Sequence, residues 1–213
     1  MFSGAPTPST RDRLVAAMGD ALQRRGLHGI GLTELLQAAQ APKGVLYHHF
    51  PGGKTELAVA AIEDAVLAMG ARLDALLLRE ADPLAALRGW LAGAQRQLER
   101  SGYASGCPLA TVALESTPAD VALRGALARA FASLRERLAA LLLRAGLPAA
   151  RAPALAALLV AAYEGALMQA RVAGDAGDLA AMADTLLDLV ARELRESGAS
   201  SESGPAAIHP ETP

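Results

Sequence analysis

Two lysines are all that this 213-residue chain contains, and they bracket one run of chemically equipped side chains, Lys43-Gly44-Val45-Leu46-Tyr47-His48-His49-Phe50-Pro51-Gly52-Gly53-Lys54. On a 3.6-residue period Leu46 and Phe50 share one face, while Lys43, Tyr47 and His48 lie on the other. The apolar pair can anchor a short helix to a core and leave an ammonium, a hydroxyl and an imidazole outward. Such donors beside a helix start suit phosphate oxygens. Val45 carries no polar atom, yet it can touch a thymine methyl in a major groove. An ordinary polar helix surface yields the same triplet, so the neighbouring elements have to decide between the two.

Other residues invite catalytic readings that their spacing does not support. Gly53-Lys54-Thr55 ends like a phosphate-binding loop, but His48 stands where the pattern needs Gly, and no strand pattern precedes it. Cys107 is the lone cysteine; with a distant histidine it could be drawn as a nucleophile and base, but a free cysteine is more often a small buried hydrophobe. His28, His48, His49 and His209 have no metal-ligand spacing, so neither a metal nor another cofactor is expected. Glu164 is the sharper case, because it interrupts the most apolar stretch of the chain and buried carboxylates are uncommon unless paired.

The elements that must position these groups are helices. Of the 213 residues 50 are alanine and 36 leucine, and only 3% are aromatic, a composition that favours helix and leaves little for strands. An all-α fold is expected, with about nine helices separated by Gly and Pro breaks. The first runs from Thr10, its N-cap, to Arg25, with Gly26 as its stop. Short helices at 32–39 and 43–49 follow, the second opened by Pro42. Longer ones are expected at 54–79, 83–100, 107–115, 119–145, 153–173 and 179–195. Residues 1–9 read as a flexible arm and 197–213 as a disordered tail. The start lacks the pattern of a secretory signal, and a single cysteine suits a reducing cytosol, so a cytoplasmic protein is expected. The longest uncharged apolar stretch, 152–163, has 12 residues against the ~20 that a span requires, so no membrane is expected.

A short helix, a tight turn and a second short helix make a helix-turn-helix pattern, whose second helix enters the major groove. The segment from Arg11 to Leu57 resembles the DNA-binding domain of the tetracycline-repressor (TetR) family, on the run Ala39-Gln40-Ala41-Pro42-Lys43-Gly44-Val45-Leu46-Tyr47-His48-His49-Phe50. The continuation to Leu57, with Gly106-Cys107-Pro108-Leu109-Ala110 and Val112-Ala113-Leu114-Glu115, is similar to the LmrA/YxaF-like subgroup. The resemblance implies backbone contacts from Lys43, Gly44, Tyr47, His48 and Lys54, with Val45, and Pro42 or His49, nearer the bases. Thr33, in the first turn of the preceding helix, is a further phosphate candidate. Gln40 stands where the family often has Gly, so the turn either avoids positive φ or accepts roughly 1 kcal/mol of strain. Gly31 stands where the family often has Ser or Thr.

Charge follows the same division. Residues 1–57 carry 6 basic and 4 acidic side chains, and the remainder 14 basic and 18 acidic. A helix-turn-helix domain at 10–57 is therefore expected to precede a ligand-binding and dimerisation domain at 58–196. Candidate ligand positions are the large or polar groups among the Ala/Leu helices: Trp90, Tyr103, Cys107, Glu115, Phe131, Tyr163, Glu164, Met168 and Gln169. Several of these equally suit a plain core. The last two helices offer wide apolar faces, including Leu155, Leu158, Leu159 and Ala162, then Leu179, Met182, Leu186, Leu189 and Val190, which suggest a homodimer interface. The resulting expectation is a repressor that binds a palindromic double-stranded DNA operator and is released by an aromatic or amphipathic small-molecule inducer. The alternatives are an all-helical enzyme using Cys107 or Glu164, and a dimerisation module without specific DNA binding.

Overall fold

The computed structural model describes residues 8–202, and the described residues form nine helices and no strand. The first helix, α1 (Thr10–Arg25), begins one residue earlier than its expected cap implies. Ser9 is the N-cap: its hydroxyl accepts from the Asp12 amide while the Ser9 amide donates to the Asp12 carboxylate, both at 3.2 Å. That reciprocal pair satisfies two donors at the helix start, which Thr10 cannot do from inside the helix. Ser9 is thus part of the fold, Pro8 is described with it, and residues 1–7 of the expected arm lie outside the described residues.

Helix α2 (Leu32–Ala38) and helix α3 (Val45–His49) form the expected pair, but α3 is shorter than 43–49. Gly44 has φ 94°, a left-handed conformation that halts the helix there, so Pro42 and Lys43 belong to the turn and not to the first helical positions. Gln40 takes φ 50°, so the turn does accept positive φ at a residue with a Cβ. Arg13 reaches across from α1 to hold it, donating to the carbonyls of Ala39 (3.1 Å) and Gln40 (3.5 Å).

Helix α4 (Gly53–Arg79) continues unbroken past residue 57, so the reading head and the body share one rod. Its start, α5 (Pro83–Arg100), α6 (Pro108–Glu115), α7 (Val121–Arg144) and α8 (Ala152–Ala173) fall within two residues of expectation. Helix α9 (Gly177–Glu202) does not: six residues assigned to a disordered tail continue the helix, and 203–213 lie outside the described residues. Local Ser and Gly content marked a break at 197, but an apolar face already docked on α8 lets the helix propagate past it.

Helix α1 packs on α4 and on α2, α4 on α7 and α5, and α8 between α7 and α9. One continuous core runs from Leu14, Met18, Leu35 and Phe50 in the head through Leu57 and Ile62 to Leu87, Leu109 and Leu138 in the body. Helix α8, at 22 residues, is long and apolar enough to cross a membrane by length and composition, a property that the 12-residue uncharged stretch within it understated. In the fold it is a bundle helix, with Leu155, Ala156, Leu159, Tyr163 and Ala170 buried.

Candidate nucleic-acid interface and body cleft

Tyr47 and His48 point outward as the 3.6-residue period requires, whereas Lys43 is outward because it belongs to the turn before α3; as a helical residue three before Leu46 and seven before Phe50 it would share their face. Leu46 and Phe50, 1% and 2% exposed, are driven into the core, and Tyr47, one position on from Leu46, is left 59% exposed. His48, Lys43, Gly44, Pro42 and Thr33 are exposed as well, while Val45 and His49 are half-buried. The two histidines are less separate than adjacent helical positions suggest: their rings meet edge to face with centroids 5.0 Å apart. Lys54 is half-buried and already engaged, its ammonium donating to the Ile30 carbonyl at 2.6 Å. It therefore braces the loop before α2 in addition to carrying charge. Gly31 serves as N-cap of α2 with no side-chain hydrogen bond, so the hydroxyl often found there is missing and its capping is lost with it.

Arg11 escaped the sequence reading of this surface. Its guanidinium sits 5.3 Å from the centroid of the Phe50 ring, a cation placed at the edge of the head. Phe50 was legible as an anchor, but nothing in the spacing from 11 to 50 tells which arginine covers it.

The body holds a cleft of about 920 Å³, bounded by α1, α4, α5, the α5–α6 connection and α8. Three of the nine candidate ligand residues, Trp90, Cys107 and Tyr163, line it. The Trp90 indole donates to the Met69 carbonyl at 3.3 Å, and its ring lies 5.2 Å from that of Tyr163, tilted by 45°. Small residues make the space: Gly19 on α1, Ala61, Ala65 and Ala68 on α4, and Gly89 and Gly93 on α5 bring no bulk to it. Because α1 supplies Val15, Ala16, Gly19 and Gln23, the cleft is shared between head and body and is not confined to 58–196.

Glu164 lies beside the cleft wall with both carboxylate oxygens buried and without a hydrogen-bond partner. Burial pushes its pKa up to about 7. Burial and the neighbouring Glu164 charge also push the Cys107 thiol well up, and burial does the same to the Tyr163 phenol. A thiol kept protonated in this way is a poor nucleophile.

The remaining candidates lie elsewhere. Phe131 belongs to a smaller hollow with Ala113, Pro118 and Arg124. Met168, 54% exposed, falls on the side of α8 opposite Ala166 and Ala170, and Gln169 beside it is exposed as well. Tyr103, at φ 62°, is half-buried in the α5–α6 connection, where it packs against the core. Glu115 is a joint: its Oε2 accepts from the Leu27 amide at 2.6 Å, just past the end of α1. Two further ties converge there, from the Gly106 amide to the Gln23 carbonyl (2.9 Å) and from Arg171 to the Arg24 carbonyl (2.7 Å). These carbonyls are the unpaired acceptors at the C-terminal end of α1, so the body satisfies what the helix cannot.

Of the expected interface residues, Leu155, Leu159, Leu179, Leu186 and Val190 are buried inside the subunit. On the last two helices the large apolar side chains left outward among the described residues are on α8, with Leu158, Met168 and Val172 exposed, and Ala161 between them.

Residues 83–185 match the family model described as the C-terminal domain of LmrA/YxaF-like transcriptional regulators. The helix-turn-helix-type transcriptional regulator Rv0196 of Mycobacterium tuberculosis is 33% identical over 190 residues, which span 87% of this chain and 92% of that protein. A TetR regulatory protein from Rhodobacter sphaeroides superposes with a TM-score of 0.75 at 29% identity, covering 84% of this chain and 97% of its own. The TetR-family regulator CifR, solved as a cysteine mutant with a 26-bp double-strand operator, shares the fold, with a TM-score of 0.64 at 23% identity and coverage of 90% and 98%. These relatives regulate transcription and are not enzymes, which sets aside the reading of Cys107 or Glu164 as catalytic groups. A helix-turn-helix head fused through α4 to an LmrA/YxaF-like body makes this chain a member of the TetR family of transcriptional regulators.

Proposed function

We propose that the protein is a cytoplasmic, ligand-responsive repressor that binds a palindromic operator as a homodimer and is released by a small-molecule inducer. The observation that carries this reading is the outward row of Lys43, Tyr47 and His48 on a helix-turn-helix pinned from below by Leu46 and Phe50. In it Lys43, Gly44, Tyr47, His48 and Thr33 meet the phosphate backbone, and Val45, Pro42 and His49 lie toward the bases. Lys54, held by the Ile30 carbonyl, positions the loop and adds charge. The 10–57 head and 58–196 body are units of function joined by α4 and not separate rigid blocks.

The exposed line Leu158, Ala161, Met168 and Val172 on α8 supports a two-fold interface with α9. Two reading heads ~34 Å apart then address successive major grooves. Ligand in the cleft favours a head arrangement that no longer matches that spacing. The test is a mobility shift with DNA upstream of the protein's own gene. Specific retardation is expected, and Lys43→Ala should weaken binding to all sequences while lowering the slope of log K against log salt by about one. A folded dimer that retards no DNA even at low salt overturns the reading.

A further inference from the structure

The cleft has a charge opposite to that of the body around it. Residues beyond 57 carry more acid than base, yet the charged groups lining the cleft are five arginines against two aspartates. Arg24 comes from α1, Arg72 and Arg79 from α4, and Arg96 and Arg100 from α5. The carboxylate of Asp20 is tied to Arg24 at 2.8 Å, which leaves Asp64 as the other acidic group. Arg72 donates to the neutral amide of Gln97 at 2.8 Å, so its charge stays uncompensated. Arg79, Arg96 and Arg100 have no carboxylate within 4 Å among the described residues. Beneath this rim the wall is apolar, formed by Met69, Trp90, Leu98, Tyr163 and Leu167.

We propose that this cleft binds an amphiphilic anion, with the apolar chain or ring on Trp90 and Tyr163 and the anionic end at the arginines of α4 and α5. The proposal rests on the regulator reading above and names the chemical class of its inducer. A concave site lined by one sign of charge and floored by low-dielectric groups concentrates counter-charge, and guanidinium forks suit carboxylate and phosphate oxygens. Burial of the apolar end supplies the remainder of the affinity. Glu164, behind the wall, opposes an anion more strongly once it ionises above about pH 7. Because α1 forms part of the same cleft, the shape of the site depends on the mutual placement of head and body, and the affinity for the anion depends on it in turn.

Trp90 is the single tryptophan of the chain, so its emission reports the cleft without labelling. Decanoate, titrated below micelle formation, is expected to shift that emission saturably and to bind at least tenfold more tightly than decyltrimethylammonium. An Arg72→Ala/Arg100→Ala variant, checked for its native melt, should lose about tenfold in decanoate affinity, with partial recovery in the corresponding double Lys variant. Glu164→Gln should bind decanoate equally or better at pH 8. Tighter binding of the cation, or a decanoate affinity unmoved by loss of the arginines, overturns the proposal.

Operator binding is measured separately by mobility shift. Normal retardation with no decanoate binding overturns the anion site alone, whereas selective decanoate binding by a protein that retards no DNA leaves the site standing and overturns the repressor reading. Where both occur, decanoate should weaken operator binding by the same factor by which operator weakens decanoate binding.

Discussion

At the scale of single residues, two carboxylates show how burial converts a side chain from surface decoration to constraint. Glu164 was conspicuous in the sequence as the one acid in an apolar helix, and its oxygens are buried and unpartnered. Its proton is held up to about pH 7 in the folded chain but lost near the ordinary carboxylate range when unfolded. The unfolded state therefore binds fewer protons between those values, and stability falls as pH rises from about 4.5 to 7. Glu164→Gln should remove this loss: its stability advantage, read by urea denaturation, should grow by up to about 3 kcal/mol between pH 5 and pH 8. A constant difference across that range would mean that the carboxylate is solvated. Glu115 was legible as an unusual residue but not as a joint, because its partner is 88 positions away. Glu115→Ala should cost about 1–2 kcal/mol and speed exchange of the Leu27 amide. A Cβ placed on Gly26, whose φ is 76°, would collide with the same carboxylate, so the turn and the acid depend on each other.

At the scale of elements, helices with a strong apolar period were legible to within two residues, and the misjudged ends have local causes. Leu14, Met18, Ala21 and Leu22 in α1 and Leu87, Leu91 and Leu98 in α5 recur at helical spacing, and all are buried. The start of α3 was not fixed, because Pro42 is equally suited to a turn and Gly44 adopts the left-handed conformation that its missing Cβ permits. The C-terminal extension of α9 continues a helix formed upstream, which the local Ser and Gly content does not reveal. Helix α3 is five residues long and has little intrinsic stability, so its shape depends on its two anchors. Leu46→Ala should therefore cost about 2–5 kcal/mol and abolish DNA retardation even though no DNA-facing side chain has changed. Thermal melts together with mobility shift would detect a Leu46→Ala protein that keeps wild-type stability, which would contradict the anchoring role. The cleft was half legible: Trp90 and Tyr163 were candidates by size, while its small-residue walls and its contribution from α1 depend on which helices pack together.

At the scale of the whole molecule, most of the apolar 52% forms a continuous internal core, and among the large side chains left outward Leu158, Met168 and Val172 share one strip on α8 while Leu67, Leu78, Leu114, Val121 and Leu143 lie on other helices. The sequence suggested surplus apolar area on both final helices; folding internalises most of it, and Leu158, Met168 and Val172 are what remain. Leu158→Asp should separate the proposed dimer into folded monomers in sedimentation, with operator affinity falling steeply because one reading head makes half the contacts. A dimer that tolerates Leu158→Asp would place its interface on another face.

Helix α4 gives the head and body a common lever. At 1.5 Å per residue its 27 residues span about 40 Å, so a tilt of about 5° at the body end displaces the head end by about 3.5 Å. The three ties, from Glu115 on α6, Gly106 in the α5–α6 connection and Arg171 on α8, hold the end of α1 to the body, and the cleft lies between α1 and the α4 rod. A small swelling of the cleft is thereby magnified at the surface where α3 sits, and in a two-fold assembly the displacement would be applied twice, once at each end of the span between heads.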